Sequence, residues 1–113
     1  MTPQDLAQRQ FDAYNARDLA AFIACYSDTV QVFRPPAVQP TLDGKAAFAE
    51  FYRTQRFNLP QLKAELVHRM VLGNKFIDHE RIHGIGDAVL EMAFVGVVQD
   101  DLIQTVYVFP ASP

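Results

Sequence analysis

Hydrophobic positions along this chain recur mainly at helical intervals up to about residue 60 and at strand intervals after it. Leu6, Gln10, Phe11 and Tyr14, with Ala7 and Ala13 beside them, mark one face of a first helix. Thr2 can cap it, and Pro3 suits its first turn. Asn15-Ala16-Arg17-Asp18 breaks the pattern. Asp18 can cap a second, short helix with Leu19, Phe22, Ile23 and Tyr26 on one side, ending at Ser27-Asp28. Thr29–Phe33 is β-branched and alternating, which predicts a short strand. Arg34-Pro35-Pro36 through Pro40 is a loop, because proline removes donors and fixes the backbone. Asp43-Gly44 leads into a third helix, where Ala47, Phe48, Phe51, Tyr52 and Gln55 recur at the right interval.

After Pro60 the period is two. In 62–72 the even positions Leu62, Ala64, Leu66, His68, Met70 and Leu72 form the predicted buried face, against Lys63, Glu65 and Arg69. Gly73-Asn74 is a two-residue hairpin turn into a second strand, 75–83. In 87–98 the even positions are all apolar or small. From Val89 onward the odd ones are apolar too, except Glu91, so this strand is expected to be covered on both faces. Asp100-Asp101 turns the chain into a last strand, Leu102–Phe109, which Pro110 stops. Helices first and hairpin-linked strands after predict an α+β domain. Three N-terminal helices would pack on one face of a curved, mainly antiparallel sheet and leave a conical cavity between the layers.

Composition narrows the function classes. A length of 113 residues suits one domain, spanning 1–113. A net charge of −3 offers no basic footprint for nucleic acid or an anionic membrane. No apolar run reaches about 18 residues, so no membrane span is expected. The start, Met1-Thr2-Pro3-Gln4-Asp5, lacks the basic and apolar regions of a secretory signal, and a cytoplasmic protein is expected. The single Cys25 reads as a small buried core thiol.

Residues 79–83, His-Glu-Arg-Ile-His, match the H-E-x-x-H zinc-protease pattern. That motif needs a helix, where residues four apart share a face and can grip one ion. On a strand the two imidazoles would stand roughly 13 Å apart, at about 3.3 Å per residue. The Gly73-Asn74 turn before the segment, and Gly84 and Gly86 after it, argue for the strand. Neither a metal nor a cofactor is therefore implied.

Several phrases carry a family likeness. Tyr14-Asn15-Ala16-Arg17-Asp18-Leu19-Ala20-Ala21-Phe22 and Tyr26-Ser27-Asp28-Thr29-Val30-Gln31-Val32-Phe33 resemble the head of the SnoaL-like group in the nuclear transport factor 2 superfamily. Gly44-Lys45-Ala46-Ala47-Phe48 through Phe51-Tyr52 is similar to its third helix. Gly73-Asn74-Lys75-Phe76-Ile77-Asp78-His79-Glu80 is similar to its central hairpin. The resemblance implies a cone-shaped fold, a hydrophobic pocket and a homodimer. The superfamily includes ketosteroid isomerases, limonene-epoxide hydrolases, polyketide cyclases and non-catalytic binding proteins. The isomerase base position falls on Arg34, its tyrosine on Gln10 and its wall aspartate near Phe94, so that catalytic set is missing. The epoxide-hydrolase arginine falls on Arg81. Its two aspartate positions fall on His83 and about Val108.

The same comparison turns the odd positions of 75–83 toward the cavity. Arg81 and Tyr14 would then stabilise oxygen charge, with His79 or His83 as the base. Asp78 and Glu80 would fall on the opposite face, as a solvated or subunit-facing stripe. Phe33, Arg34, Phe51, Tyr52, His68, Met92, Phe94, Val106 and Val108 are the expected pocket residues. The expected function is binding of an apolar small molecule, with isomerase, cyclase or hydrolase chemistry on a carbonyl or epoxide. The alternative is a ligand-binding or dimerisation domain without chemistry.

Overall fold

The computed structural model describes residues 1–112; Pro113, the last residue of the expected domain, lies outside them. Its elements run α1 (Pro3–Ala16), α2 (Leu19–Ile23), β1 (Tyr26–Phe33), β2 (Leu42–Asp43), α3 (Lys45–Gln55), β3 (Lys63–Leu72), β4 (Lys75–His83), β5 (Leu90–Gln99) and β6 (Leu102–Pro110). The six strands form one curved, open sheet in the order β2-β1-β6-β5-β4-β3. β3 to β6 are an antiparallel meander, and β1 joins β6 in parallel. The three helices pack against this sheet, as an α+β cone requires. No helix among the described residues is long and apolar enough to cross a membrane.

Local chemistry sets the element ends. α1 begins with a capping box in which the Asp5 amide donates to Thr2 Oγ1 at 3.1 Å and the Thr2 amide to Asp5 Oδ2 at 3.0 Å. It ends where Arg17 adopts a left-handed φ of 53°. Asn15 then docks α1 on the edge strand: its Nδ2 donates to the Ala64 carbonyl at 3.0 Å and its Oδ1 accepts from the Ala64 amide at 2.7 Å. Asp18 caps α2 through the Ala21 amide. That helix stops at Ile23, earlier than its periodicity suggests, because Tyr26 already pairs with Ile103 in the sheet. Cys25 is buried between them. The Asp100-Asp101 turn has positive φ at both residues, as a type I′ turn needs.

Two strand expectations fail for physical reasons. Leu66 opposes Glu80 and His68 opposes His79, so Val67 is an extra residue, a bulge that reverses the alternation. Ala64 and Leu66 face the helices before it, and Arg69 does so after it. His68, Met70 and Leu72 are thereby turned outward, with Met70 50% and Leu72 64% exposed. β5 begins at Leu90 rather than 87, and only its Met92–Phe94–Gly96 face is covered by helices. The core between the layers is aromatic: Phe22 stacks on Phe48 at 5.6 Å, and Tyr26 packs against both. Gly96 is part of that fit, since a Cβ there would stand 2.3 Å from the buried Phe76 ring.

Candidate functional site

A cavity of about 50 Å³ lies between α1, α3 and the inner face of the sheet. Its floor is set by β4. Phe76 and Ile82 are large, apolar and buried, and they bring the two residues of equal parity between them, Asp78 and Glu80, to the same face. The two carboxylates differ in their partners. Asp78 is fully buried and gripped by Arg69, with Nε–Oδ1 at 2.7 Å and Nη2–Oδ2 at 2.9 Å. Arg69 also donates from Nη1 to Gln8 Oε1 at 2.9 Å. The Val67 bulge aims that guanidinium inward.

Glu80 is only 6% exposed and lines the cavity, and no side-chain hydrogen bond or ion pair among the described residues involves its carboxyl. Burial, and then the Asp78 charge two residues away, push its pKa up to about 8, against a smaller opposing pull from Arg69. Two phenols share the wall. Burial raises Tyr14 strongly and raises Tyr52 to about 12, so both stay protonated and can donate to a ligand oxygen. Neither hydroxyl has a partner among the described residues. Tyr26 differs: its hydroxyl donates to Gln10 Oε1 at 3.1 Å and belongs to the core. Arg34, after β1, and Arg56, after α3, complete the wall, with the Arg56 guanidinium 4.9 Å from the centre of the Phe51 ring.

Of the residues expected from the sequence, Tyr14, Arg34, Phe51, Tyr52, Met92, Phe94 and Val108 line this cavity. His79, Arg81 and His83 do not; they lie on the opposite face of β4. There they form a cross-strand chain of polar pairs: His79 with Glu91, Arg81 with Glu91 and Glu65 at 3.8 Å each, and His83 with Glu65 at 3.2 Å. The assumed face is thus inverted, because Phe76 and Ile82 set the parity and Arg69 compensates the buried Asp78. His68 is exposed beyond the bulge. Phe33 stacks on Tyr107 at 5.5 Å on the outer face, and Val106 is fully buried in the core rather than in the cavity wall. Glu80 was the residue to find. Its signal in the sequence is the shared parity with Phe76 and Ile82, set against four basic or imidazole side chains, Lys75, His79, Arg81 and His83, at the odd positions.

Comparison with known proteins fits this architecture. The family profile of the SnoaL-like domain matches residues 7–105. No curated protein matches the sequence. A protein of Kribbella flavida DSM 17836 named as a ketosteroid isomerase superposes with a TM-score of 0.84 at 20% identity, covering 98% of this chain and 78% of that one. One from Sinorhizobium meliloti named as a polyketide cyclase gives 0.79 at 17%, covering 92% and 93%. A computationally designed 17-OHP binder gives 0.82 at 16%, covering 96% and 91%. At these identities the superpositions establish the fold.

Proposed function

The chain belongs to the SnoaL-like domain family, and from that membership and its cavity we propose that it binds an apolar carbonyl or epoxide compound and moves a proton on it without a cofactor. The reaction class is that of an isomerase, cyclase or hydrolase. One observation carries the reading: a carboxyl group, Glu80, faces an apolar cavity with no partner and a pKa near 8. At pH 7 about a tenth of the molecules hold it as carboxylate. That form takes a proton from the carbon beside the carbonyl. The Tyr14 or Tyr52 hydroxyl donates a hydrogen bond to the oxygen as charge builds there. The Glu80 acid, now neutral, returns the proton to the same or a neighbouring carbon.

The test is deuterium uptake from D2O into the α-positions of cyclopentanone, followed by NMR. The wild-type protein is expected to exchange them, and Glu80→Gln to lose the acceleration, by a factor on the order of 10²–10⁴. Equal rates in the two proteins would contradict the role of Glu80. Absence of exchange in both would favour the second reading, a ligand-binding or dimerisation domain without chemistry. That reading has its own support: Glu80 is the only carboxylate in the cavity wall among the described residues. We further propose that the outer face of the sheet pairs with a second copy of the chain, since Met70, Leu72 and Phe109 are exposed there.

A further inference from the structure

We propose that the carbonyl or epoxide compound taken by this cavity also carries a carboxylate and is thus an amphipathic acid, with its apolar body among the aromatic walls and its carboxylate at the mouth between Arg34 and Arg56. The inference rests on the cavity reading above and adds the class of molecule the cavity takes. Arg34 follows β1 and Arg56 follows α3, and both line the cavity. Arg34 is exposed and Arg56 half-buried, so both charges reach the cavity from its solvent side, beside the Tyr52 ring.

Neither guanidinium is ion-paired with a carboxylate among the described residues, although both line the cavity. Arg56 is half-buried and held in place by the Phe51 ring and by a 2.7 Å hydrogen bond from Nη1 to the Gln55 carbonyl, leaving its other donors free of protein partners. The backbone beside Arg34 supplies no competing donors, because Pro35 and Pro36 lack an N–H. Recognition at this rim therefore falls to guanidinium forks, which match the two coplanar oxygens of a carboxylate. Deeper in, Glu80 is mostly neutral at pH 7 and does not repel an acid. An uncharged aromatic interior below a cationic mouth, in a chain of net charge −3, is the polarity an amphipathic anion requires. A cavity of about 50 Å³ limits the body to a short one.

The test compares hexanoate with 1-hexanol, which share one apolar body. Each is titrated into the wild type, Arg34→Gln, Arg56→Gln and the double variant, with the ¹³C-labelled carboxyl signal of Glu80 reporting occupancy. Hexanoate is expected to bind at least about tenfold more tightly than hexanol to the wild type, a margin one charge-assisted pair can supply. The double variant should lose that preference, its affinity for hexanoate falling at least about tenfold further than its affinity for hexanol. Equal affinity for the two compounds in the wild type, or an undiminished preference in the double variant, would overturn the anionic ligand and leave the cavity reading standing. Tighter binding of hexyl phosphate than of hexanoate would overturn the choice of carboxylate. If neither hexanoate nor hexanol perturbs Glu80, the cavity reading fails and this inference fails with it.

Discussion

Two carboxylates one step apart on β4 illustrate how a partner decides chemistry. Asp78 is more deeply buried than Glu80, yet it is bound by a guanidinium that neutralises it. Glu80 has no such partner, so ionising it inside the protein is unfavourable. The consequence for stability follows from linkage. A folded-state pKa raised from 4.5 to about 8 means that the native state holds a proton the unfolded chain has already lost. The Glu80 contribution is fully present below about pH 4.5 and is lost as pH rises toward 8, by at most about 1.4 kcal/mol per pH unit. Wild-type protein should therefore lose melting temperature relative to Glu80→Gln between pH 5 and pH 8.5, with the two alike at the acid end. Parallel melting curves across that range would show that Glu80 titrates as an ordinary exposed acid. At this scale the sequence was half legible. Tyr14, Arg34, Phe51 and Tyr52 were traceable to helix faces and a proline-bounded loop. Glu80 was missed although Phe76 and Ile82 share its parity, because β4 has polar residues on both faces and the family comparison turned the other face inward.

The β3–β4 hairpin is where element and site meet. Its turn was legible, since Gly73 takes a φ of 60° at the first central position. Its bulge was not. An extra residue inside a strand carries no local signature when it is a valine, the residue type strands favour most. The alternation of 62–72 looked unbroken for that reason, and Arg69 was assigned to the wrong side. The bulge has a definite energetic role: it delivers the only guanidinium that compensates Asp78 among the described residues. Removing Arg69 as Arg69→Met leaves a buried, unpaired carboxylate and should cost about 3–5 kcal/mol. Deleting Val67 turns the same side chain outward and should cost a similar amount. Combining the two changes should cost little more than either one alone, because both remove one interaction. Chemical denaturation of the three variants checks this, and strictly additive losses would show that the bulge serves something other than the Arg69–Asp78 pair.

For the molecule as a whole, the change of period near Pro60 was enough to place helices before strands and the helices on one side of the sheet. What it could not show was which face of the sheet the helices leave bare. That face carries a mixed surface: the ladder of His79, His83, Arg81, Glu65 and Glu91 beside exposed Met70, Leu72 and Phe109. Both signs of charge and an apolar patch on one surface suit self-pairing about a two-fold axis. Light scattering should give twice the chain mass, and Phe109→Asp with Met70→Asp should reduce it to that of a single chain with the cavity intact. A wild-type protein of single-chain mass would remove the outer sheet face as a self-association surface.

The central claim is that Glu80 stands unpaired in the cavity between helices and sheet as a proton donor and acceptor near neutral pH. The most direct test is the titration of its side-chain carboxyl by ¹³C NMR, assigned with the Glu80→Gln variant. A midpoint close to 8, displaced when the cavity is filled, is the result the structure predicts. A midpoint near 4.5, unmoved by any small apolar ligand, would contradict it and leave the cavity without its chemistry.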